Sequence, residues 1–269
     1  MPLYQAAIGS LLYLALASRP DIAFAVIKLS QFSAHPTLAH WDAVLHIMQY
    51  LYGSLESRLT LTTTPNDSQE LVGYFDSSYA DDTSDRHSTC GYVFYFLGGP
   101  ISWRSKKQDI LALSSTEAEF VAATEAAKES QWITAFLREI GFPLQSTILL
   151  GDNKGANSLT LNPMYHSRTK HIDVRYRYIT ELSEAGIIRV AYCRSRDMIA
   201  DILTKPLPRD TFNYHKRRLL LPCSPHIPQK RHGLSNPPFT CDKCSASFSS
   251  RNALFLHLQS SQHFMDHSP

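Results

Sequence analysis

The chain has 269 residues, of which 43% are hydrophobic, 11% aromatic and 19% charged, a balance that excludes wholesale disorder, a fibrous repeat and a coiled coil. That length supports one large domain or two smaller ones with a sizeable core. A formal net charge of +2 is too small to demand a polyanionic partner unless the basic residues are unevenly distributed.

Residues 5–53 read as packing helices: Ile8, Leu11, Leu12 and Ala15 share a face, Pro20 opens a second segment through Ile27 and Leu29, and Trp41–Leu51 form a third. The apolar run Leu11–Ala17 is short and is followed by Arg19 and Asp21, so neither a bilayer span nor a membrane partner is expected. No basic region precedes it, which makes it a poor signal peptide and points to cytoplasm or nucleus. Of the five cysteines, only Cys241 and Cys244 have a spacing with chemical meaning, and disulfides are not expected.

From Leu71 the pattern changes to strands in LVGYF, CGYVFYFLG and PISWR, a three-stranded antiparallel meander. A long helix is predicted from Ser114 to Ile140, with Phe120, Val121, Ala127 and Phe136 on one side, ended by Gly141 and Pro143. Trp103 and Trp132 lie in apolar-periodic segments and are expected in the core. The run TILL before Gly151 reads as a buried strand followed by a helix, which brings a parallel α/β connection into the sheet. A helix to Ala185, a strand at Ile187–Tyr192 and a short helix around Ile199 follow. Residues 161–220 carry 12 Lys or Arg against 6 Asp or Glu, which suits either a polyanion-facing flank or a solvated basic face. Prolines 222, 225, 228, 237 and 238 mark an extended linker to a separate module.

Asp76 closes the first strand and Asp152 the later one, while Glu117, Glu119 and Asp201 lie on flanking helices. Acidic groups at strand ends can converge at one edge around a divalent cation. Each could instead serve as a cap or turn residue.

GYFDSSYADDTSDRHSTCGYVFYFLGGPISWRSKKQ, LALSSTEAEFVAATEAAKE, GDNKGA, HSRTKHIDVRYRYI and ADILTKPLP resemble successive motifs of the ribonuclease H domain in copia-type retrotransposon polyproteins. YQAAIGSLLYLALASRPDIAFAV and HWDAVLHIMQYLYGS resemble the last part of the reverse transcriptase upstream of that domain. The polymerase palm, with its Tyr-x-Asp-Asp motif, is not matched, so DNA synthesis is not expected. The resemblance implies a ribonuclease H-like α/β fold: a mixed five-stranded sheet flanked by helices. It implies four acidic residues, Asp76, Glu119, Asp152 and Asp201, holding two Mg²⁺ ions, or Mn²⁺ in their place. Glu117 and Glu119 are about 200° apart around a helix, so only one can face the metals; Glu119 is chosen and Glu117 is the runner-up. Two ions together would activate water and stabilise the leaving oxygen as the RNA strand of an RNA–DNA hybrid is cut. The basic block with Arg168, Lys170, His171 and Arg175 would contact hybrid phosphates or simply supply helix-end charges.

At the C-terminus, Cys241, Cys244, His257 and His263 have the spacing Cys-x2-Cys-x12-His-x5-His, with Phe248 and Leu254 at interior apolar positions. This pattern resembles a ββα Cys2His2 zinc finger binding one Zn²⁺. With His257 as the seventh helical residue, the base-reading positions would be Ser250, Ala253 and Leu256. None makes a strong bidentate base contact, so the finger's partner is nucleic acid or protein. The expected organisation is a helical reverse-transcriptase remnant over 1–60, a ribonuclease H-like domain over 68–221, a linker over 222–238 and the finger over 239–264. The alternative function is a catalytically inactive retrotransposon relic that acts as a zinc-finger binding module.

Overall fold

A computed structural model describes residues 2–61, 70–82, 85–153, 170–220, 239–240 and 247–248. Met1–Pro228 form one compact unit and Gln229–Pro269 a second.

The first unit opens with α1 (Pro2–Ala17), a 3-10 turn (Pro20–Ile22), α2 (Ala23–Ser30) and α3 (Leu38–Tyr52). Proline at the first position of the 3-10 turn suits a site whose N–H has no partner anyway. Thr37 caps α3 in a reciprocal arrangement with His40: its hydroxyl accepts from the His40 N–H at 3.4 Å, and His40 Nδ1 accepts from the Thr37 N–H at 3.1 Å. The sheet follows, with β1 (Leu71–Ser78), β2 (Thr89–Phe96) and β3 (Gly99–Lys107) antiparallel. After α4 (Ser115–Glu139), β4 (Thr147–Gly151) runs parallel to β1. After α5 (Lys170–Glu184), β5 (Ile188–Tyr192) runs parallel to β4. The strand order is β3-β2-β1-β4-β5, the mixed five-stranded sheet that the ribonuclease H resemblance implies. Two 3-10 turns (Ser195–Asp197 and Ile199–Leu203) and α6 (Arg209–Leu220) complete the unit.

The sheet is apolar on both faces because alternate residues of each strand pack against different helices. Leu71 and Phe75 of β1 join Phe94, Phe120, Ala126, Ile133 and Ile179 on the face covered by α4 and α5. Val72 and Tyr74 join Ile8, Leu11, Val26, Val44, Leu203 and Leu219 on the opposite face. The helices of 2–52 thus share a core with the sheet. Trp103 Nε1 donates to the Ala15 carbonyl at 2.7 Å across that seam.

The structure corrects one sequence reading and adds an element that pattern did not assign. Trp132 is 62% exposed and stacks on Phe136, itself 47% exposed; the core side of α4 is filled instead by small residues such as Ala122, Ala123 and Ala126, which let the helix lie close to the sheet. Pattern alone assigns no element to 209–220, where α6 buries His215, Arg218, Leu219 and Leu220 and packs Phe212 against the core, while most of its other residues are polar. Its fit comes from long-range bonds: Tyr95 donates to the Arg218 carbonyl at 3.1 Å, and Arg218 Nη1 donates to the Asp197 carbonyl at 2.7 Å. The helix expected directly after Gly151 falls mainly on residues 154–169, outside the described residues.

In the second unit, Phe239–Thr240 and Ser247–Phe248 form an antiparallel pair, with Phe239 opposite Phe248.

Candidate metal centre

Parallel pairing sets the site. In the β1–β4 register, Tyr74 is level with Leu150, and two residues further along each chain lie Asp76 and Asp152. Adjacent parallel strands therefore deliver two carboxylates to the same sheet end. α4 supplies a third. Ser114 caps that helix by accepting from the Glu117 N–H at 3.1 Å, and Glu117 Oε2 accepts from the Leu113 N–H at 2.8 Å. Glu117 thus folds back over the cap. Glu119 faces the strand end, where its Oε1 accepts from the Ser77 N–H at 3.3 Å. One carboxylate oxygen each from Asp76, Glu119 and Asp152 lies within 4.8 Å of the others.

Asp201 comes from the last 3-10 turn and is not a member of that trio. It approaches through Lys205, whose Nζ is 3.0 Å from Asp201 Oδ1 and 3.3 Å from Asp76 Oδ2. The Thr204 hydroxyl also donates to Asp76 Oδ2. Gly91 makes this approach possible: it pairs with Asp76 across β1 and β2, and a Cβ there would stand 2.7 Å from Leu203 Cβ and 2.9 Å from Thr204 Cγ2. Thr204 and Lys205 are site residues that sequence reasoning passed over, although both lie in the ADILTK motif and the lysine follows Asp201 by four positions.

Crowding shapes the charge. Burial, then repulsion from Asp76 and Asp152, pushes the Glu119 carboxyl up to about 9, with the Ser77 N–H and Lys205 offsetting only part. Burial, then Asp76, pushes Asp201 up to about 7 even though Lys205 pulls the other way. Burial lowers the Lys205 pKa, but Asp76 and Asp201 more than compensate, so the ammonium is held firmly protonated. Glu119 Oε2 is buried with no hydrogen-bond partner among the described residues. An unpartnered oxygen in a group of three hard donors fits a divalent cation, since hard ions take oxygen ligands and would offset this repulsion.

The other predicted site residues are placed less fully. Arg175 is half-buried, with Nη1 lacking a partner among the described residues. Lys170 and His171 lie in the first turn of α5, but their side chains, like all of Arg168, Cys241, Cys244, His257 and His263, fall outside the described residues. One correction concerns letters. Tyr79-Ala80-Asp81-Asp82 does spell Tyr-x-Asp-Asp, but it lies between β1 and β2. There Asp81 pairs with Lys28 at 2.9 Å and Asp82 with Lys107 at 2.7 Å, so both aspartates are taken up by lysines away from the trio.

A mixed sheet of this order, with acidic residues at the ends of two parallel neighbours, is the α/β arrangement that the ribonuclease H resemblance implies. The retrovirus-related Pol polyprotein from transposon TNT 1-94 of Nicotiana tabacum is 43% identical over 213 residues, 79% of this chain and 16% of the polyprotein. The secreted RxLR effector protein 161 of Plasmopara viticola is 44% identical over 135 residues, 50% of this chain and 94% of that protein. This chain therefore belongs to one family with the effector protein, and most of its length is homologous to a segment of the retrovirus-related Pol polyprotein. It spans about a sixth of the TNT 1-94 polyprotein's length. Among solved structures, LC11-RNase H1 in complex with RNA/DNA hybrid is 13% identical, with 50% of this chain and 94% of that chain covered and a TM-score of 0.39. No protein-family model matches the chain. No helix among the described residues is long and apolar enough to cross a membrane.

Proposed function

We propose that this chain is a divalent-metal-dependent ribonuclease of the H type, which cuts the RNA strand of RNA–DNA hybrids. The observation that carries this reading is the convergence of Asp76, Glu119 and Asp152 within 4.8 Å, with one buried carboxylate oxygen that has no partner among the described residues. Asp76, Glu119 and Asp152 would hold one Mg²⁺, and Asp76 with Asp201 would flank a second. When bound, such ions supply positive charge to the attacking and leaving oxygens of a phosphodiester and favour deprotonation of water. The chain's own residues set the geometry. Asp76 and Asp152 are fixed by strand register, and Glu119 is held by the Ser77 N–H. Thr204 orients Asp76 through Oδ2. Lys170, His171 and Arg175 on α5, with Arg168 before it, would take phosphates of the hybrid, positioning it without reading its sequence.

The reading is tested with a labelled hybrid, Mg²⁺ and an EDTA control. The parent chain should cleave the RNA strand only with Mg²⁺, and the Asp152→Asn chain, folded by circular dichroism, should not. Equal cleavage by both chains overturns the assignment. No cleavage by either would favour the relic, with binding as its remaining activity.

For the second unit we propose a Cys2His2 zinc site formed by Cys241, Cys244, His257 and His263, supported by their spacing and by the Phe239–Phe248 hairpin. One equivalent of Zn²⁺ per chain, lost on Cys244→Ser, is the expected result by metal analysis.

A further inference from the structure

The acidic end of the sheet already contains a cation of the protein's own. We infer that Lys205 is a tethered counter-cation that occupies the place of a second divalent ion between Asp76 and Asp201, so that this ion binds only by displacing the ammonium. The inference rests on the hydrolase reading for the role of the second ion, while its physical basis is the placement of Lys205.

Three observations support it. First, Nζ lies 3.3 Å from Asp76 Oδ2 and 3.0 Å from Asp201 Oδ1, bridging a member of the trio and Asp201. Second, the lysine is locally anchored, since its own N–H donates to the Asp201 carbonyl at 3.1 Å and the preceding Thr204 hydroxyl donates to Asp76 Oδ2. These bonds fix the backbone from which the ammonium reaches both carboxylates. Third, the Lys205 side chain is 34% exposed, against 2% for Asp76 and 13% for Asp201, so it can swing towards solvent while the carboxylates remain.

Glu119 and Asp152 complete the trio with Asp76, and neither forms an ion pair with Lys205 among those found in the described residues. The first ion can therefore enter at the trio with Lys205 in place. The second would compete with a point charge at ion-pair distance. Lys205 is thus a positioning residue that sets how many ions the free protein holds.

Titration calorimetry with MnCl₂, on full-length protein without nucleic acid, tests this directly. The parent should bind one Mn²⁺ tightly, with the second at least about tenfold weaker, a gap of ~1.4 kcal/mol. Lys205→Met and Lys205→Gln, checked for fold by circular dichroism, should bind the second ion more tightly by a similar factor, and Lys205→Arg should behave like the parent. In EDTA the Met and Gln chains should melt at a lower temperature than the parent, with a larger gain on adding Mn²⁺. A variant that folds only with Mn²⁺ gives the same answer in stronger form. Equal stoichiometry and equal melting behaviour in parent and both neutral variants overturn the inference. Hybrid cleavage by the parent is scored separately. Cleavage with lysine-independent Mn²⁺ binding leaves the nuclease and removes the counter-cation, whereas lysine-dependent binding without cleavage does the reverse.

Discussion

Two buried carboxylates, Asp21 and Glu119, sit in the same folded unit and have opposite surroundings. The Asp21 side chain is fully enclosed and fully answered: Arg19 grips it with two bonds of 2.9 and 2.8 Å, and Tyr50 donates to it at 2.5 Å. Arg19 in turn donates to Ser54 Oγ at 2.8 Å, so each charge in the network has a partner. Glu119 has one backbone donor, two neighbouring carboxylates and an oxygen with no partner among the described residues. A satisfied buried ion pair fixes where helices cross. A crowded, under-satisfied one stores a demand for a cation, and that contrast separates scaffold from site.

The sharpest way to break the comparison is to neutralise both carboxylates. Glu119→Gln should lower Mg²⁺-dependent hybrid cleavage on the order of a hundredfold or more, because one of the carboxylates that would hold the ion is lost. Its stability without metal should stay within about 1 kcal/mol of the parent, since the amide removes the repulsion from Asp76 and Asp152. Asp21→Ala should do the opposite, costing about 3–5 kcal/mol in denaturant unfolding by leaving Arg19 buried and unpaired. It should spare the trio's metal binding in any fraction that stays folded. Gly91→Ala tests the contact that brings the last 3-10 turn to the site; it should cost about 1–3 kcal/mol through overpacking against Leu203 and Thr204. It should also weaken Mn²⁺ binding in calorimetry.

The smallest effect is a pH trend. Glu119 and Asp201 have pKa values raised in the folded state to about 9 and about 7. Their protonated forms therefore favour folding most at low pH, and that contribution is lost as pH rises through those values. In EDTA, the melting temperature should fall between about pH 5 and 9, and Glu119→Gln should flatten the upper part of the fall. Mg²⁺ should oppose the trend, because the ion binds the deprotonated carboxylates. A profile that is flat in EDTA for the parent would show that the crowding is relieved in solution.

Much of the fold was readable from local pattern. The apolar runs LVGYF and CGYVFYF marked β1 and β2, the helical run from Ser114 and the break at Gly141 bounded α4, and Asp76 and Asp152 could be placed at strand ends. Helix geometry showed that Glu117 and Glu119 could not both face one site. What local pattern could not weigh was distance between remote segments. Trp132 looks internal by periodicity, yet it lies on the open side of a helix whose alanines make the close contact. α6 has few apolar residues and gains its place from Tyr95 and Asp197.

From its sequence alone the chain determined its strands, its long helix and the residue types able to hold hard cations, because period-two and helical spacing act within a few residues. Only the tertiary structure decided that the β1–β4 register sets Asp76 beside Asp152, that Glu119 turns inward and that Lys205 reaches across to Asp76. Those outcomes depend on desolvation and Coulomb energy between groups up to 129 positions apart, and such energies exist only once the backbone has brought them within a few ångströms.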